Sequence, residues 1–165
     1  MEVVTATERA LMTMVCYQQI NATLGFRLQS RLEEKLRTGT KPSSYDLVQL
    51  GFSARKAQTI VNIFTFFAKE SYTPGKLPTD NVISLLTQIK GVGPWTAKAY
   101  LLFYEKREDV VLYEDLDVRK GLKIEHHLEK VPTPKQAKDL CKDWQPDISS
   151  ALSVFYLDLG KTLAR

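Results

Sequence analysis

The 165-residue chain is 44% hydrophobic and 10% aromatic, enough apolar material for one domain with a real core. Its Lys and Arg number 23 against 19 Asp and Glu, a net charge of +4 that fits a polyanionic partner without demanding one. Two cysteines far apart, Cys16 and Cys141, exclude a disulfide scaffold, and neither has a metal-ligand spacing. No run of eighteen apolar residues and no basic-then-apolar leader occurs, so we expect no membrane span, no membrane partner and an intracellular protein, in cytoplasm and nucleoid or in a nucleus according to the organism.

From Thr7 to Leu36, the residues Leu11, Met14, Val15, Ile20, Leu24, Leu28, Leu32 and Leu36 recur at three- and four-residue steps, the period of a buried helix face. Gln18-Gln19-Ile20-Asn21 interrupts this face, and Asn21 can cap a second helix. Thr38 to Pro42 is a stop, Ser43 or Ser44 restarts a helix through Leu50, and Gly51 ends it. Ser53 caps a helix to about Lys69 with the apolar face Ala57, Ile60, Val61, Phe64 and Phe67. Tyr72 to Thr79 is a loop, and Thr79 or Asp80 caps the next helix, carrying Val82, Leu85, Leu86 and Ile89.

A Gly91-Val92-Gly93 turn follows, then a helix over Trp95 to Tyr104. Val110 to Tyr113 reads as an extended, buried connector, and Asp115 stands where an N-cap belongs, ahead of Leu116, Val118 and Leu122. After Pro132-Thr133-Pro134 a helix is expected over Lys135 to Trp144, and a last one over Ser149 to Leu163. Repeats and low-complexity tracts are absent, so the reading is all-α with roughly ten short helices.

Two features carry chemistry. A glycine turn between helices leaves backbone N–H groups at the start of the second helix, a ready site for a DNA phosphate; an ordinary helix-turn-helix corner has the same pattern. Asp115 as an N-cap is one role, and stabilising positive charge on a sugar or orienting a water is another; the two are compatible. Glu114 is expected to face solvent, and Asp117 to belong to the acid-enriched first turn. His126-His127 has no third metal ligand nearby and reads as a solvated helix pair.

The stretch from Gln88 to Lys98, QIKGVGPWTAK, followed by Tyr113 to Gly121, YEDLDVRKG, resembles the helix-hairpin-helix and Gly/Pro-Asp signature of the DNA glycosylase superfamily, in its 3-methyladenine branch. Cys16 to Asn21, Leu50 to Ala57 and Trp144-Gln145-Pro146 are similar to further segments of that branch. The sequence departs from it at Asp147-Ile148, where an aromatic or Tyr followed by Arg is usual, and at Tyr113, where a proline is usual.

The resemblance implies a two-lobed all-α fold with a cleft between the lobes, about 19–112 forming one lobe and about 1–18 with 113–165 the other. It implies that Asp115 is the catalytic aspartate, assisting departure of the base and handling of the water, and that Trp95 and Tyr156 line the base pocket. Gln19 would fill the gap left by a flipped nucleotide. Lys90, Gly91, Gly93, Thr96 and Lys98 would meet DNA, and the carbonyls of Thr87, Ile89 and Val92 would hold a structural monovalent cation, with no other cofactor required. Trp95 stands where bifunctional relatives place a Schiff-base lysine, which implies a glycosylase without strand cleavage, acting as a monomer on double-stranded DNA that carries alkylated purines. The alternatives are a non-catalytic DNA-binding or damage-sensing module, or a glycosylase for uracil or an oxidised base.

Overall fold

The computed structural model of the chain describes residues 3–142, and every regular element among them is helical. They are α1 (Ala6–Tyr17), α2 (Ala22–Arg37), α3 (Ser44–Gln49), α4 (Ala54–Phe67), α5 (Thr79–Leu86), α6 (Pro94–Phe103), α7 (Leu116–Glu125) and α8 (Pro134–Leu140). The expected helix over Ser149 to Leu163, the Trp144-Gln145-Pro146 turn, the Asp147-Ile148 departure and the pocket aromatic Tyr156 lie outside the described residues.

Local chemistry accounts for most helix starts. Thr5, Ser43 and Thr133 each accept from the backbone N–H three residues on, while Glu8, Asp46 and Gln136 reach back to the cap's own N–H, closing three capping boxes. Asn21 caps α2 through Leu24 N, Ser53 caps α4 through Lys56 N, and Pro134 occupies the first position of α8, where a missing N–H costs nothing. Neither Thr79 nor Asp80 is the cap of α5. Pro78, extended at φ −57° and ψ 153°, holds that position without a side-chain bond, and its carbonyl accepts from Val82 N, starting the helix one residue early.

The chain forms two compact units, Met1–Tyr100 and Leu101–Arg165. In the first, α1 packs on α2 and α4, and α3 packs on α4. Leu11, Val15, Leu28, Leu32, Leu36, Leu47, Phe52, Ala57, Ile60, Ile63, Val82, Leu86, Ile89, Val92 and Ala97 are buried there; a fully buried Leu or Ile contributes about 1.5–3 kcal/mol. Leu24, expected on the buried face of α2, is instead exposed. On α4 the buried stripe is Ala57, Ile60, Ile63 and Phe64, with Val61 and Phe67 at its edges.

Buried polar groups tie the first unit together. Glu8, only 2% exposed, accepts from Thr5 N and Lys41 Nζ, and Lys41 Nζ also lies 5.0 Å above the centre of the Phe64 ring. The hydroxyls of Thr7 and Tyr100 share a hydrogen bond of 3.1 Å, joining the start of α1 to α6.

In the second unit α7 packs on α8, with Leu101, Leu102, Val110, Leu112, Val118, Leu122, Ala137 and Cys141 buried. Val110 to Leu112 has no regular structure, and Tyr113 and Glu114 turn into α7. Burial pushes the Tyr113 phenol above its usual range. His126 ends α7 and His127 follows at φ +50°, so the pair closes the helix rather than lying along it. No group of three metal-ligating side chains occurs among the described residues, and no helix there is long and apolar enough to cross a membrane.

Candidate DNA-binding hairpin and catalytic aspartate

The hairpin is a tight descent from α5 into α6. After the Thr87 cap, Gln88 N, Ile89 N and Val92 N donate to Leu85 O, Leu86 O and Ile89 O in successive short turns, and the Gly93 carbonyl accepts from Ala97 N to start α6. Ile89 and Val92 point into the core, which sets the turn's depth. The two glycines differ in purpose. Gly91 has φ +101°, and a Cβ there would come within 2.8 Å of Thr59 Cβ and Cγ2 on α4, so both backbone and space require glycine. At Gly93 a Cβ would meet nothing within 4 Å.

Around this turn Lys90 is exposed, and its carbonyl accepts from Asn62 Nδ2 at 2.8 Å, a second tie from α4. Trp95 and Lys98 are half-buried on α6. Pro94 opens α6, and the first N–H groups of any helix have no intrahelical acceptor, so this end suits an anion. Thr96 differs from its neighbours: it is 3% exposed and its Oγ1 accepts from Gln18 Nε2, so its hydroxyl is turned into the protein. Of the carbonyls expected around a cation, that of Ile89 already accepts from Val92 N, and a carbonyl oxygen keeps a second lone pair for an ion.

Gln19 lies in the four-residue crossing from α1 to α2. It is exposed and sits at φ +54°, a left-handed conformation costly for a residue with a Cβ. Such strain persists where the surroundings over-determine it. Here Lys56 Nζ donates to Cys16 O at 3.0 Å, sealing the C-terminal end of α1, and the Tyr17 hydroxyl donates to Gln29 Oε1 at 2.9 Å. Burial lowers the Lys56 pKa below its ordinary value. The Tyr17 ring covers Gly25, where a Cβ would fall 2.7 Å from Cε1. Lys56, Tyr17 and Gly25 were not expected to matter at the site; Lys56 carried a signal only as part of the Ser-x-x-Lys run that starts α4.

Asp115, in the second unit, is the N-cap of α7. Its Oδ1 accepts from Asp117 N at 2.8 Å and Val118 N at 3.3 Å, and its carbonyl accepts from Arg119 N. The carboxylate is half-buried, and the helix N-terminus complements its negative charge. Glu114 is exposed, and Asp117 sits in the first turn with Lys120 Nζ at 3.3 Å, as expected for both.

No family model matches the chain. Over 140 residues it is 30% identical to DNA-3-methyladenine glycosylase 1 of Schizosaccharomyces pombe, covering 74% of this chain and 59% of that protein. Over 157 residues it is 24% identical to the putative DNA-3-methyladenine glycosylase YfjP of Bacillus subtilis, covering 86% of this chain and 55% of the other. The chain thus spans less than two thirds of the length of these curated relatives. Among solved structures, the S. pombe 3-methyladenine DNA glycosylase Mag1 in complex with abasic DNA is similar with a TM-score of 0.80 at 26% identity, over 91% of this chain and 79% of that one. With its hairpin and its capped aspartate, the chain is similar in sequence and in fold to DNA-3-methyladenine glycosylases.

Proposed function

We propose that the protein is a monofunctional DNA glycosylase that flips alkylated purines of the 3-methyladenine and 7-methylguanine type out of double-stranded DNA and hydrolyses their N-glycosidic bond. The likeness to Mag1, solved on abasic DNA, is the observation that carries this reading. Flipping a nucleotide costs a few kcal/mol, offset by backbone grip and by a side chain that fills the gap. In this reading the N–H groups of Gly91, Gly93 and Thr96 and the cations of Lys90 and Lys98 hold phosphates, and Gln19 fills the gap. The carbonyls of Thr87, Ile89 and Val92 would hold a monovalent cation that adds positive charge beneath a phosphate.

N3- and N7-alkylated purines carry positive charge and are good leaving groups. An electron-rich ring favours them by about 0.5–2 kcal/mol through cation-π stacking, the role assigned to Trp95 and, beyond the described residues, Tyr156. As the bond from C1′ to the base nitrogen breaks, the base departs with the bonding electrons and the sugar becomes cationic. Asp115, anchored through Oδ1, stabilises that cation and orients the water that adds to C1′. Without an amine at position 95 the reaction ends at the abasic site, and the protein works as a monomer inside the cell.

The test is a panel of duplexes bearing methylated purines, uracil or 8-oxoguanine, scored for free base and for strand breaks. Release of methylpurines without breaks supports the reading. Release of uracil or oxidised base alone transfers it to another lesion, and tight abasic-duplex binding with no release from any substrate replaces it with a damage-sensing module.

A further inference from the structure

Gln18 is held in a way that its neighbour's role does not explain. Its backbone N–H donates to Val15 O to close α1, while its side-chain Nε2 crosses to Thr96 Oγ1, 78 residues away, at 3.0 Å. Thr96 is the third residue of the hairpin's second helix, and it is buried. The left-handed Gln19 therefore follows directly on a residue bolted to the helix that follows the Gly-Val-Gly turn. The other ties at this crossing, from Lys56 to Cys16 O and from Asn21 to Leu24 N, fix the chain on α4 and α2 and leave the Gln19 side chain outward.

We propose that Gln18 is a positioning residue: its amide, bonded to the Thr96 hydroxyl, sets the Gln19 turn against the hairpin, so that gripping the backbone and filling the duplex gap act as one rigid unit. The proposal rests on the reading of Gln19 as the gap-filling residue. A hydrogen bond between neutral groups contributes about 0.5–1.5 kcal/mol, so removing it should cost insertion roughly fivefold while leaving the hairpin's hold on intact duplex in place. Joining the two elements also removes freedom that insertion would otherwise have to freeze.

The experiment uses a duplex with a tetrahydrofuran abasic analogue opposite 2-aminopurine, whose emission reads insertion without base release. Gln18→Met, similar in size but lacking the amide, is measured with Thr96, Thr96→Ser and Thr96→Val. With a hydroxyl at 96, Gln18→Met should raise the protein concentration needed for the emission change roughly fivefold, with affinity for intact duplex within about twofold. With Thr96→Val it should have no further effect. An equal cost in all three backgrounds, no cost in any, or a parallel loss of intact-duplex affinity overturns the proposal. Wild type that changes the emission yet releases no methylpurine removes the excision activity alone and leaves the coupling tested; wild type that leaves the emission unchanged overturns both.

Discussion

Gly91 lies directly against Thr59: a Cβ on the glycine would come within 2.8 Å of two carbons of the threonine, whose hydroxyl is itself bonded to Arg55 O on α4. The contact sets how closely the hairpin approaches α4, and Asn62 repeats it one helical turn on by holding the Lys90 carbonyl.

Gly91→Ala should therefore destabilise the fold by roughly 2–4 kcal/mol, combining left-handed strain with overpacking against a side chain that cannot rotate away. Thermal denaturation would read this as a fall of roughly 5–15 °C. Adding Thr59→Ala, which removes both Oγ1 and Cγ2, should recover part of the loss. An unchanged midpoint in Gly91→Ala would refute the contact.

Asp115 separates capping from chemistry by its two shortest replacements. Asparagine caps about as well as aspartate, so Asp115→Asn should stay within about 0.5 kcal/mol of wild-type stability, whereas Asp115→Ala should lose about 1 kcal/mol. Base release should fall by about 10²-fold or more in both, because both remove the negative charge. Chemical denaturation beside single-turnover release checks the pair; full activity in Asp115→Asn would leave the residue a cap and no more.

Gly25 offers a choice of sign. In an exposed helix, glycine to alanine gains about 0.5–1 kcal/mol, but here the new methyl would meet the Tyr17 ring at 2.7 Å, and overpacking of this kind costs about 1–3 kcal/mol. The clash should win, so Gly25→Ala lowers the melting temperature. Because Tyr17 adjoins Gln18 and Gln19, it should also weaken insertion into the abasic duplex. Gly25→Ala combined with Tyr17→Leu should restore stability.

Burial pushes the Cys16 thiol up to about 12, with burial also raising Cys141. A low-dielectric surrounding penalises the thiolate, so Cys16 stays protonated at pH 8. Both cysteines are fully buried. Native protein should react with a thiol reagent far more slowly than protein in denaturant, and raising the pH toward 9 should leave Cys16 unlabelled while the fold holds. Rapid labelling of both thiols in native protein would contradict the packing around α1 and α8.

Much of the architecture was legible because it is local. Caps at Asn21, Ser43, Ser53 and Asp115 act over two or three residues, and a period of 3.6 betrays a buried face without reference to its partner. The start of α5 was misjudged for the same reason: Thr79 and Asp80 are better capping types than Pro78, and only the carbonyl of Pro78 accepting from Val82 N shows which residue begins the helix. Thr96 is a similar case, since a threonine in the first turn of a helix carries no mark of whether its hydroxyl faces solvent or core.

By itself the sequence determined that the chain is helical, where most helices start, that a glycine turn joins two of them and that an aspartate caps α7; propensity, capping and hydrophobic period set these within a few residues of chain. Only the tertiary structure decided that Gly91 answers to Thr59 while Gly93 faces open space, that Lys56 seals α1, and that Gln18 binds Thr96. Those pairs are separated by 32, 40 and 78 residues. Contacts of that range follow from how helices pack, and packing leaves no periodic trace in the chain that undergoes it.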